Sequence, residues 1–162
     1  MPVLSQIANA ASSYRQNESM LRKSFEGLTT EEWLRRPNES SNHLLWIAGH
    51  VIWARGVALG FLGSEWSRPW LPLFARGSKL VDSAQYPTPE EIALAGQEIS
   101  ERLTTAMEEA SEETLSKPSP EKIPSADGKI SGVLNFLAWH EAYHVGQAAY
   151  VRCWLGHSGV AG

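Results

Sequence analysis

Two histidines four residues apart, His140 and His144, sit in the stretch "FLAWHEAYHVGQAAYVRC", residues 136–153. A third, His50, lies far upstream in "NHLLWIAGHVIWAR". On a helix, an i, i+4 pair projects about 40° apart, onto one face. Val133, Phe136 and Leu137 share that face one and two turns earlier, so it points into a core. Burying two unpartnered imidazoles costs several kcal/mol. A divalent metal removes that cost for both, because each neutral ring offers a lone pair. His50 stands one turn from Trp46 and one from Trp53 on the apolar face of a second helical stretch, and it is the natural third ligand. A lone core histidine usually reads as a structural, hydrogen-bonded group. Three on facing helices read as a metal site.

The segment HEAYH also fits the H-E-x-x-H pattern of zinc peptidases. Its surroundings do not. The extended pattern asks for Gly and a third His three and six residues after the second, and Gln147 and Tyr150 occupy those positions. No acidic residue follows Glu141, and no strand pattern offers an edge to a peptide substrate. The sequence therefore argues against a peptidase. Glu141, the candidate catalytic residue, lies about 100° around the helix from His140 and about 60° from His144. It can act as a base at the metal or support a ligand N–H. It can equally pair with a neighbouring helix or subunit. Gln147 and Glu18 are further candidates to support the site. Of the remaining histidines, His43 is expected to be exposed or beside a helix cap, and His157, in the Gly-rich tail, to be mobile.

These residues need elements to hold them. Leu4, Ile7, Ala11, Tyr14, Leu21, Phe25 and Leu28 recur at three- and four-residue steps, the stripe of an amphipathic helix. Glu18 falls where an apolar residue is due. Either the stripe drifts onto Met20 and Leu21, or a carboxylate points inward. Gly27 ends this helix. "TTEEWLRRP" predicts a short helix that starts on Thr caps and stops at Pro37. A long helix then runs to about Leu62, capped by Ser40, Ser41 or Asn42. Thr88, Pro89, Glu90 and Glu91 open the next one, with Ile92, Ala95, Ile99, Leu103 and Ala106 as its stripe. "SKPSPEKIPSADGK" is a loop, and the last helix spans about 131–155. The fold class is thus all-α: a four-helix bundle in a single domain, 1–162, with a long connection between the second and third long helices. That connection carries Trp66, Trp70 and Phe74 with Arg68 and Arg76. It either covers the site and binds an anionic group, or serves ordinary packing or a dimer contact.

The 162 residues carry a net charge of −4, which disfavours binding to nucleic acid. No uninterrupted apolar run has the length of a membrane span. The N-terminus lacks the charged start and apolar run of a signal peptide. A single cysteine, Cys153, fits a reducing cytoplasmic setting and is expected to be a buried, inert thiol. The last helix carries a second aromatic stripe, Trp139, Tyr143, Tyr150 and Trp154, which makes it apolar nearly all round. Such a helix is normally covered on both sides, which predicts a homodimer through this face.

One His in the second long helix, followed by H-x-x-x-H-x-G-Q in the last, resembles the DinB/YfiT-like superfamily of metal-dependent four-helix bundles. The matching pieces are "NHLLWIAGHVIWAR" and "HEAYHVGQ", with His50, His140, His144, Gly146 and Gln147. The lead-in "TTEEWLRRPNESSNHLLWIAGH" is similar too, so the likeness spans nearly the whole chain. The resemblance implies a divalent metal, usually zinc or nickel, on those three histidines, with open or water-filled positions. It implies a frequent homodimer. It also implies transfer or isomerisation of small electrophiles with a low-molecular-weight thiol. Hydrolysis by metal-bound hydroxide, and metal binding in a stress response without turnover, are the alternatives. Glu141 is not required by the family pattern.

Overall fold

The structure, a computed structural model, describes residues 3–160. It contains four long helices: α1 (Ala8–Phe25), α3 (Leu44–Phe61), α4 (Pro89–Glu109) and α6 (Ile130–Trp154). Two short ones, α2 (Thr30–Leu34) and α5 (Glu112–Ser116), complete the set, and no strand forms among the described residues. The bundle predicted from the apolar stripes is therefore the bundle observed.

The helix starts follow local chemistry. Thr29 and Thr88 each accept from the third helical N–H, and Glu32 and Glu91 reach back to the cap N–H, closing two capping boxes. Helix α3 starts differently from expectation. Its cap is His43, not the Ser or Asn residues before it: His43 Nδ1 accepts from Trp46 N at 3.1 Å. The ring is buried, so His43 is a cap and not an exposed residue. Asp127 secures the start of α6, accepting from Lys129 N (2.9 Å), Gly132 N (3.0 Å) and Ser131 Oγ (2.5 Å). Those donors, Ser131 first, hold its carboxyl down at about 2. Helix α5 lies just before the loop, in a stretch to which the sequence reading assigned no element. Its signal was present in Ser111, which accepts from Thr114 N at 3.1 Å, and in the first-turn acids Glu112 and Glu113.

Helix α6 packs along α1 and α3, and α3 also packs along α4. Around the bundle the order is α1, α6, α3, α4. Helices α1 and α4 barely meet, and a groove of about 1110 Å³ runs between them, floored by Val51 and Ile52 of α3. Helix α3 has the length and apolar composition of a membrane span, but it is the core helix of the bundle, buried over 72% of its length. Arg152 fastens the far end, donating to Glu26 O at 2.6 Å and to Ser158 O at 2.9 Å. His157, expected to be mobile, is instead 2.9 Å from Glu32. Cys153 is exposed, contrary to expectation.

The long connection folds back onto α3. Its 3-10 turn, Leu71–Phe74, buries Phe74 completely, in contact with the rings of Tyr86 and Trp70. Phe74 fits because position 49 has no side chain. A Cβ built on Gly49 would lie 2.3 Å from the Phe74 ring. Gly49→Ala should therefore overpack this contact, costing about 1–3 kcal/mol and lowering the unfolding midpoint by roughly 2–12 °C. A midpoint within a degree of the parent chain would show that the ring adapts and would refute the contact's role.

Candidate metal centre

Helices α3 and α6 bring His50, His140 and His144 together, with one ligand atom from each lying within 4.8 Å of the others. His50 and His144 are buried and His140 is half-buried. Two of the three rings have their tautomer set. His50 Nδ1 lies 2.8 Å from the carbonyl of Phe74, which can only accept, so that nitrogen carries the proton. His144 Nδ1 lies 2.8 Å from Gln147 Oε1, again an acceptor. Both rings therefore present an unprotonated Nε2, the form a metal ligand needs. Gln147 in turn donates to the Tyr143 hydroxyl at 3.1 Å.

The donor set fits a divalent ion. Two nitrogens at the usual zinc–imidazole distance, at a tetrahedral angle, stand roughly 3.3 Å apart. His140 Nε2 and His144 Nε2 are 3.3 Å apart. His140 Nδ1 is buried with no hydrogen-bond partner among the described residues. Aromatic rings wall the cluster. Trp46 stacks on His50 at 4.8 Å, Trp53 stacks on it at 5.4 Å, and Phe136 stacks on His140 at 6.0 Å.

Burial lowers the basicity of all three imidazoles. Its effect on His50 is reinforced by the neighbouring His140, that on His140 by the charge of Arg76, and that on His144 by His50, taking His144 down to about 4. The neutral, ligating forms are thus favoured in the fold.

Glu141 does not join the cluster. Its carboxylate is fully buried and takes a two-pronged contact from Arg55: Nε to Oε2 at 2.8 Å and Nη2 to Oε1 at 2.7 Å. Burial pushes this carboxyl up and the guanidinium pulls it back. The fork needs two accepting oxygens, which is the ionised form. Of the two roles left open, pairing with a neighbouring helix is the one seen. Glu18 does point inward, but toward Arg55 Nη1 (2.5 Å) and Ser100 Oγ (2.8 Å), not toward the histidines. Arg68 pairs with Glu98 and lies over Trp66, leaving Arg76 as the connection's cation near His140.

The sequence profile of the DinB superfamily matches residues 13–148. The chain belongs to the DinB superfamily. Among solved structures, YfiT from Bacillus subtilis, described as a probable metal-dependent hydrolase with an unusual four-helix bundle topology, superposes with a TM-score of 0.66. The match covers 93% of this chain and 87% of YfiT at 13% identity, a likeness of fold. No curated protein matches the sequence.

A histidine whose basicity is lowered by folding stabilises the fold while neutral. That contribution is complete above its ordinary value, near 6.5, and is lost as pH falls toward the lowered one. For His144 the drop to about 4 corresponds to roughly 3 kcal/mol. Chelator-treated protein should therefore hold its unfolding midpoint above about pH 6.5 and lose stability between there and pH 4. Thermal melts across that range test this, and a flat profile would contradict it.

Proposed function

We propose that this DinB-superfamily chain is a divalent-metal-dependent enzyme. In this reading His50, His140 and His144 hold one ion and leave a coordination position open to small molecules. The observation that carries it is the convergence of three imidazoles within 4.8 Å, two with Nδ1 already committed. Neutral imidazoles suit zinc or nickel among the available ions. When bound, such an ion acts as a Lewis acid and lowers the pKa of a water or thiol at the open position.

The chain's own residues do the rest. The Phe74 carbonyl and Gln147 hold the protons on the outer nitrogens of His50 and His144 and so aim the inner ones. Trp46, Trp53 and Phe136 keep the surroundings apolar, which strengthens electrostatic attraction to a bound anion. Arg76 adds positive charge beside His140.

The reaction best supported is thiol-dependent transfer or isomerisation on a small electrophile. Glu141 is occupied by Arg55, and no carboxylate joins the histidine cluster among the described residues. A nucleophile that ionises without a neighbouring base is then required. A thiol, with an ordinary pKa near 8.5, does so more readily than water. Hydrolysis is the second reading, supported by the description of YfiT as a probable metal-dependent hydrolase.

Assembly belongs to the same proposal. Trp139, Tyr143, Tyr150 and Trp154 are exposed along the outer face of α6, at 66%, 58%, 65% and 40% of their surface. A contiguous aromatic stripe of this kind supports a homodimer through α6.

Metal analysis of tag-free protein should find about one divalent ion per chain. His50→Ala should lose most of it, and equal, negligible metal in both would end the reading. Incubating the loaded protein with small electrophiles, with and without low-molecular-weight thiols, separates the two chemistries: turnover only with thiol supports transfer, and turnover in water alone supports hydrolysis. Light scattering at micromolar concentration should give twice the chain mass, and a monomer would defeat the dimer.

A further inference from the structure

The buried arginine of α3 uses all five of its N–H groups, and their acceptors lie on each of the other long helices. Nε and one Nη2 proton go to Glu141 of α6, and the other Nη2 proton goes to the Tyr14 carbonyl of α1 at 3.3 Å. Nη1 serves Glu18 of α1 and Ser100 of α4. Arg55 is 2% exposed and Glu141 1%. Asn17 of α1 adds a buried contact one turn away, donating to the Ala138 carbonyl at 3.2 Å.

An apolar pair of similar volume would hold the core as well. Replacing buried ion pairs in this way is often neutral or stabilising, so stability alone does not explain the pair. Its placement does more. Arg55 shares α3 with His50, and Glu141 lies between His140 and His144 on α6. The fork therefore joins the two ligand-bearing helices at the level of the site. A two-pronged contact fixes sliding and rotation together, because both hydrogen bonds must keep their length. One residue of slip moves a helix by about 1.5 Å, whereas a metal site tolerates only about 0.2 Å in its bond lengths. Apolar contacts are non-directional, whereas the fork holds two bonds of fixed length and direction.

We infer that Arg55 and Glu141 are positioning residues for the histidine cluster, setting the register of α3 against α6 so that a ligand atom of His50 stands within 4.8 Å of those of His140 and His144. This rests on the metal-binding reading above.

The test compares wild type, Arg55→Met/Glu141→Leu, Glu141→Gln, Arg55→Lys and, as control, His50→Ala. Each is melted metal-free, titrated with Co²⁺ and Zn²⁺ against a chromophoric chelator, and examined by the visible absorption of the Co²⁺ form. Well below the midpoint the folded fraction is near one, so lost stability alone leaves the dissociation constant unchanged. The apolar double variant should melt near wild type, yet bind metal about 10–100-fold more weakly, the usual loss when ligand orientation is relaxed, with an altered Co²⁺ spectrum. Should that variant fail to fold, Glu141→Gln and Arg55→Lys are judged by the same two readouts. A loss of fivefold or more together with an altered Co²⁺ spectrum in a folded variant supports the inference. A smaller loss, or a wild-type Co²⁺ spectrum, overturns it and leaves the pair a packing element. If wild type itself binds no metal, or binds it no better than His50→Ala, the metal reading fails and the inference with it.

Discussion

Every long helix of this bundle meets at one guanidinium. Arg55 is taken out of water, where an unpaired charge would be costly, and the structure answers with two carboxylates, a hydroxyl and a backbone carbonyl from three other helices. The arrangement constrains everything around it. Helix α1 must present Glu18 inward, interrupting its apolar stripe. Helix α6 must turn Glu141 toward α3, which places His140 and His144 to either side and aims them at His50. Tyr14 lies under the guanidinium at 5.7 Å, and burial, with the Glu141 charge adding to it, pushes its hydroxyl well above the usual tyrosine range. The charge of Arg55 is in turn reinforced by Glu141 and Glu18.

The histidine cluster is held from outside by different means. Its orienting groups are a backbone carbonyl and a neutral amide, neither of which changes charge near neutral pH. The rings around it supply stacking and exclude water. The long connection contributes through its backbone: Phe74 is anchored by its side chain so that its carbonyl can reach the imidazole. Trp46 Nε1, 3.3 Å from Ser78 Oγ, ties the same connection down a few residues later.

Much of this was legible in the sequence. Three-and-four spacing exposed the four long helices, and Thr88 with Glu91 marked a helix start. The ligand trio stood out because imidazoles on apolar stripes need an explanation. What escaped was non-local or backbone chemistry. Nothing near Arg55 announces that it will be buried by partners 37, 45 and 86 residues away. The Phe74 carbonyl has no side-chain signature at all. Ser40, Ser41 and Asn42 stand just before His43 and mask it as a cap. Cys153 and the aromatic stripe share a helix that is apolar nearly all round, so periodicity could not say which face turns inward. His157 found a partner, Glu32, at the opposite end of the chain.

The Gly49–Phe74 contact couples three positions of this chain. The ring of residue 74 sits where the side chain of residue 49 would be, and the carbonyl of residue 74 holds the proton of residue 50. A lineage that placed even a methyl group at position 49 would have to shrink or move residue 74, and with it the acceptor of the first ligand. The three positions are therefore free to drift only as a unit.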